Sequence, residues 1–279
     1  MSPFRLFSLA IAVGLLQSPS SAIFKRGPIS MELVSEQRTV TDGKAFWVGW
    51  RIVRDEGWHT YWKHPGDVGV PPRIKWSLPD GMRAGELLYS PPQRVRMGEV
   101  GAHGNYGETL FLCKFEPIVP LDRGSVVKIS GKASWLACSR QCQPGFAELF
   151  IDIPVGEKIE YDPFWKPRFE SFRETLPGDP PVGWSFRAAR KSGNIDLFLP
   201  PSLSMEAGGP CFFAFGRQVR SDGSQVLRKG KSGWILSLQR SSWSSGKETE
   251  LSGLLYRKEG WGVANTRNYI RVRVPLEDE

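Results

Sequence analysis

Four cysteines, Cys113, Cys138, Cys142 and Cys211, are the side chains of this chain best suited to covalent chemistry. Only Cys138 and Cys142 are close in sequence, separated by Ser139-Arg140-Gln141. Four fully extended steps would hold them roughly 13 Å apart, whereas a disulfide needs Cα atoms about 4.4–6.8 Å apart. The chain must therefore bend for a bond to form, and the polar insert suits an exposed turn after Ala133-Ser134-Trp135-Leu136-Ala137. Closing so short a loop stabilises a fold by roughly 2 kcal/mol on the chain-entropy model. That is modest for a staple, and a compact bond in a surface turn is suited to opening and closing. Arg140, between the sulfurs in sequence, would favour a thiolate. On spacing alone three chemistries stay open: thiol–disulfide exchange, a structural disulfide of the kind found in exported proteins, and a Cu(I) site of soft thiolates with Met97. A c-type haem site is disfavoured because no C-x-x-C-H occurs, and a thioredoxin-type dithiol because the spacing is three and no βαβ pattern precedes it.

The remaining candidates are weaker. Cys113 alternates with Phe111 and Phe115, the pattern of a strand's buried face, so an inert thiol is expected there. Cys211, ahead of Phe212-Phe213, reads the same way, with a Cys113–Cys211 bridge between the two halves as the alternative. His59, His64 and Asp67 are metal-ligand types at a spacing that diagnoses no metal. His103 lies in a Gly-rich stretch and receives no role.

The elements that must position these residues are mostly strands. From Ile29 to about Ile153 short apolar segments are cut by Gly and Pro, as in 45–53, 109–115, 126–130 and 147–153. Such segments predict a β-sandwich or barrel. Asp162-Pro163 then opens an amphipathic stretch with Phe164, Trp165, Phe169, Phe172 and Leu176, read as a helix over 163–176 capped by Asp162. Beyond it, 184–187, 194–199, 233–238 and 269–274 again read as strands. The organisation expected is a sandwich over 23–160, a linker helix over 161–177 and a second, smaller β domain over 178–279.

The first 22 residues have the order of a secretory leader: Arg5, an apolar run from Leu6 to Leu16, then Ser20-Ser21-Ala22. The run is shorter than the ~20 residues a spanning helix needs, and charges interrupt every later apolar stretch, so a protein outside the cytoplasm is expected. The net charge of +8 is spread along the chain. Without a run of five or six Lys/Arg it argues against nucleic acid, leaving weak attraction to anionic surfaces or acidic partners.

Three stretches together carry a family resemblance. They are Gly57-Trp58-His59-Thr60-Tyr61-Trp62-Lys63-His64-Pro65-Gly66-Asp67-Val68-Gly69-Val70-Pro71-Pro72 with the following Ile74 to Gly81, then Tyr106-Gly107-Glu108-Thr109-Leu110, then Ala133 to Pro144 around the cysteine pair. Over roughly residues 30–155 the chain resembles the N-terminal periplasmic domain of the DsbD/ScsB thiol:disulfide interchange proteins, in a stand-alone form. The resemblance implies an immunoglobulin-like sandwich in which Cys138 and Cys142 exchange disulfides, with Cys142 as the attacking residue. It implies a protein-disulfide reductase-like electron relay in the periplasm, needing no bound cofactor. Its partners would be a membrane-embedded electron donor and thioredoxin-like proteins. A cap loop shields the pair in the family, and by position, though not by residue type, Arg96-Met97-Gly98-Glu99 would be that loop. The sequence departs from the family in lacking hydrophobic segments for an electron-transferring membrane domain and a C-terminal domain with its own C-x-x-C. It also has Ala137 where the family usually has Val and Gln143 where it usually has Ile.

Overall fold

The computed structural model describes residues 18–205 and 208–278; most of the expected leader, residues 1–17, lies outside them. Two sheets face each other across the first core. One is ordered Ser20–Ser21, Cys142–Pro154, Val126–Cys138, His59–Tyr61, Val100–Tyr106, Gln93–Met97, with Arg73–Ser77 also paired to Val126–Cys138. The other runs Phe24–Arg26, Ile29–Ser35, Phe46–Arg54, Glu108–Pro117, Met82–Ala84. Period-2 alternation decides what faces inward. Val127, Ile129, Ala133 and Trp135 from the first sheet meet Val48, Trp50, Phe111 and Phe115 from the second, all buried. This is a sandwich, one of the two forms the segment pattern predicted, and it has the immunoglobulin-like character that the family resemblance implied.

The longest feature is a hairpin of two strands, Val126–Cys138 and Cys142–Pro154, in unbroken antiparallel register from Val126↔Pro154 to Cys138↔Cys142. The segments read at 126–130 and 147–153 are only its far end. Gly131 and Gly145, which read as breaks, stay in the ladder opposite Leu149 and Trp135.

The helix is shorter than the 163–176 expected, Trp165–Thr175, and begins two residues late, after a turn at Pro163-Phe164. The Asp162 carboxylate accepts the N–H groups of Phe164 at 2.8 Å and Trp165 at 3.0 Å. Phe169 and Phe172 pack on Val34, Leu110 and Leu112, the outer face of the second sheet. Leu176, extended at φ −61° and ψ 142°, precedes Pro177, which disfavours helical geometry in the residue before it.

A further sheet of seven strands follows, ordered Cys211–Ala214, Glu250–Tyr256, Tyr269–Asp278, Arg187–Lys191, Asn194–Phe198, Gly233–Gln239, Gln225–Gly230. It encloses its own core of Ile195, Leu197, Phe212, Leu238, Leu255 and Val272. The strand expected at 184–187 begins only at Arg187. Trp184 and Phe186 instead pack on this core, with Trp184 edge-on to Trp261 at 5.7 Å.

The two β units share an apolar contact. Trp62 packs with Phe213 and Leu254, and the Tyr269 hydroxyl donates to the Pro92 carbonyl at 2.9 Å.

Candidate functional site

Cys138 and Cys142 form a disulfide that closes the end of the long hairpin, with Cα atoms 4.3 Å apart. Facing residues of an antiparallel pair stand about 4.5 Å apart where they do not exchange hydrogen bonds, so the ladder itself delivers the two sulfurs to bonding range. The turn is the polar one expected; Ser139 N–H donates to the Gln141 carbonyl at 3.1 Å, and Arg140 is exposed.

The two sulfurs are not equivalent. Cys138 has no exposed surface, covered in a small cluster with Tyr61, Val95, Ala102, Met97 and Leu136. Cys142 is exposed. The Tyr61 hydroxyl donates to Cys138 Sγ at 3.2 Å, and burial pushes the phenol pKa up, which keeps that proton in place. Cys142 Sγ lies 3.3 Å from Met97 Sδ. Met97 stands beside the two-residue turn of the hairpin Gln93–Met97/Val100–Tyr106, whose Gly98 takes a φ of 60°. The stretch 96–99, placed by sequence position alone, therefore does lie beside the exposed sulfur.

The support behind Tyr61 is polar and buried. His59 pairs with Cys138 in register and packs edge-on against Tyr61 and Tyr106. Burial, with the nearby Arg54 charge, lowers the His59 pKa to about 4, so the ring is neutral at pH 7. The buried Arg54 guanidinium donates to Thr60 Oγ1 at 2.9 and 2.7 Å, to Thr109 Oγ1 at 3.0 Å and to the Gly107 carbonyl at 3.0 Å. These bonds pin the strand His59–Tyr61 from behind. Burial lowers the Arg54 pKa to about 9, which leaves it charged at neutral pH.

The string around Pro65-Gly66-Asp67 is more than a turn. Gly69, at φ 104°, sits against the Tyr61 ring so closely that a Cβ would come within 2.1 Å of it. Asp67 accepts the Ser221 N–H at 2.7 Å and the Ser241 hydroxyl, both from the second β unit. His64 stacks on Phe215 at 4.6 Å, and His103, in the strand Val100–Tyr106, packs on Trp62 and Phe213. Burial lowers the His103 pKa to about 4. His59, His64 and Asp67 thus serve packing and interdomain bonds, and no group of three His, Cys, Asp or Glu suited to a metal occurs among the described residues.

Cys113 and Cys211 are free thiols, not a bridge. Cys113 is fully buried, and desolvation raises its pKa to about 11. Cys211 is half-buried and its pKa is also raised by burial.

Comparison with known proteins shows what the disulfide-bearing unit is similar to. Residues 30–160 match the family described as "Thiol:disulfide interchange protein DsbD, N-terminal". A solved structure, the N-terminal periplasmic domain of ScsB from Proteus mirabilis, superposes with a TM-score of 0.66. It covers 92% of this chain and 98% of its own, at 13% identity, so the shared fold extends beyond the DsbD N-terminal unit into the second β unit. No curated protein matches. No helix among the described residues is long and apolar enough to cross a membrane.

Sequence reasoning found the cysteine pair and the turn beside it. It missed the Tyr61 hydroxyl on Cys138 and the contact of Asp67 with the second β unit. The specificity of the string Tyr61 to Gly69 was the available signal; what each residue touches was not in it.

Proposed function

We propose that the chain is a periplasmic thiol–disulfide interchange protein that relays electrons through Cys138 and Cys142, to or from thioredoxin-like partners, with a membrane-embedded protein as electron donor. The observation that carries this reading is the asymmetry of the pair: Cys142 is exposed while Cys138 is sealed beneath Tyr61. A partner thiolate attacks Cys142 Sγ, forming a mixed disulfide and releasing Cys138 as a thiolate. The Tyr61 hydroxyl, already aimed at Cys138 Sγ, donates to that leaving sulfur as its charge develops. A second thiol of the partner then attacks its own bonded sulfur and frees Cys142, and two electrons have passed to this chain. In the reverse direction the Cys142 thiolate attacks a partner disulfide, and Cys138 resolves the mixed disulfide. A buried, donor-supported leaving group and an exposed target are what directional exchange needs.

The test is the equilibrium of the pair with a glutathione redox buffer. An exchanging disulfide has a reduction potential above about −300 mV, and a structural one lies below it. A value below that mark would leave a non-enzymatic envelope binding module with a structural disulfide.

One observation favours a second reading, Cu(I) binding: Met97 Sδ stands 3.3 Å from Cys142 Sγ, so reduction would expose three soft sulfurs at one point. Uptake of one Cu(I) per reduced chain, lost in Cys142→Ser and weakened in Met97→Leu, supports it; no uptake excludes it.

A further inference from the structure

We propose that the second β unit sets how readily Met97 moves off the exposed Cys142 sulfur, by gripping the hairpin that carries Met97, with Ser221, Asp222 and Asp67 as the positioning residues. This rests on the reading of Cys138–Cys142 as an exchanging bond only for its biological meaning, since the grip is tested without any partner protein.

The hairpin Gln93–Met97/Val100–Tyr106 is held on one side where Val100–Tyr106 pairs with His59–Tyr61, and that pairing covers only Gly104, Asn105 and Tyr106. His103 is held next, its carbonyl accepting the Trp62 N–H at 2.9 Å and its N–H donating to the Pro65 carbonyl at 2.8 Å, and nearer the tip the loop around Ser221 takes over. Ser221 Oγ is 3.0 Å from the Gly101 carbonyl and 2.9 Å from Asp67 Oδ2, so one hydroxyl joins the hairpin to the Pro65-Gly66-Asp67 turn. The Gly101 N–H donates to the Asp222 carboxylate, which Arg220 also holds at 2.6 Å. From the other strand Arg94 donates to the Gly223 carbonyl at 3.4 Å. Both backbone groups of one residue are thus satisfied by the second β unit, in the manner of an added strand rung.

The position of that residue matters. Gly101 pairs with Arg96, and the next rung toward the tip is Val100↔Met97. Only one rung and the Gly98-Glu99 turn therefore lie beyond the anchor. With the grip intact Met97 can move off Cys142 only by bending that last rung; with it released the hairpin can pivot as far back as His103, where the Trp62 N–H and the Pro65 carbonyl hold the strand. The fit is also close: a Cβ on Gly101 would lie 2.3 Å from Asp222 Cβ, and one on Gly66 would lie 2.4 Å from Ser221 Cβ. Contacts closer than van der Waals separation force the two units apart, so adding a single methyl loosens the grip as surely as removing a hydroxyl.

The experiment measures the rate at which dithiothreitol reduces the oxidised full chain. Ser221→Ala deletes the bridging hydroxyl and Gly101→Ala inserts a methyl wedge; each is expected to raise the rate about two- to tenfold, the worth of one or two neutral hydrogen bonds. Ile195→Val, in the core of the second unit and paired with Leu238 rather than with any of the three positioning residues, lowers the melting temperature without changing the rate. The reduction potential stays unchanged in Ser221→Ala and Gly101→Ala, because a gate alters forward and reverse rates alike; a merely structural role would leave the rate unmoved. Rates equal to the parent's in both folded variants, or an equal acceleration in Ile195→Val, would overturn the proposal. If dithiothreitol rates shift as expected while no thioredoxin-like protein exchanges with the parent, the gate stands and the exchange reading falls.

Discussion

Cys142 and Cys113 sit on strands of the same sandwich and are chemically the same residue, yet the fold gives them opposite fates. Cys113 lies in the middle of Glu108–Pro117, facing Val48 across the sheet and the core beneath it. Burial holds its thiol protonated, near pKa 11, where it is neither nucleophile nor ligand. Cys142 begins its strand, one residue past a polar turn, where the ladder still sets Cα spacing but no longer buries what it positions. The lesson is about location along a strand: the interior of a sheet passivates a thiol, and its fraying end presents one.

That contrast can be broken most sharply by single replacements. Cys138→Ala should accumulate a mixed disulfide with a thioredoxin-like partner on non-reducing gels, Cys142→Ala should accumulate none, and both should lose turnover altogether. Equal trapping by both variants would remove the asymmetry on which the comparison rests.

A smaller effect comes from the histidines that flank the two regions, His59 beside Cys138 and His103 at the interdomain contact. Each is neutral when folded, with a pKa near 4, and takes up a proton near 6.5 once unfolded. Unfolding therefore gains protons as pH falls, and the stability present above about pH 6.5 is lost progressively down to about pH 4. Each group contributes about 2–3 kcal/mol to that loss. Urea unfolding at pH 7 and pH 4.5 measures it, and His103→Asn should reduce the difference by about half.

Tyr61→Phe removes a donor to a sulfur that becomes charged on reduction, worth about 1.5–3 kcal/mol. The Cys138 thiolate in a Cys142→Ser background should then form about 1–2 pH units higher, followed by ultraviolet thiolate absorbance; no shift would detach Tyr61 from the chemistry. Cys113→Ala should cost about 1–2 kcal/mol of stability through lost packing and leave exchange unaltered. Smallest of all, Cys211→Ser should change stability by less than about 0.5 kcal/mol at its half-buried site and exchange not at all.

Much of the scaffold was legible because alternation and turn chemistry are local. Phe46–Arg54 and Glu108–Pro117 announced themselves as apolar segments, and Asp162 announced a helix start through its carboxylate. The strands Val126–Cys138 and Cys142–Pro154 were undercounted because Gly131 and Gly145 read as punctuation, whereas a paired glycine can stay in a ladder when its neighbours supply the burial. The stretch Trp184–Phe186 was misread as strand because aromatic β-propensity describes burial on a pleated surface, and these rings bury themselves from a loop.

By itself the sequence determined that two cysteines with three residues between them can bond only across a bend, that alternating segments must bury one face, and that the first unit resembles the DsbD N-terminal domain. The first two follow from short-range geometry and residue chemistry, and the third from the resemblance of three motif strings. Only the tertiary structure decided which sulfur is sealed, which phenol reaches it, and that a loop some 120 residues beyond Gly101 grips the hairpin beside it. Such contacts are fixed by how separate sheets dock, and docking depends on shape and on bonds between groups whose distance in the chain carries no local signal.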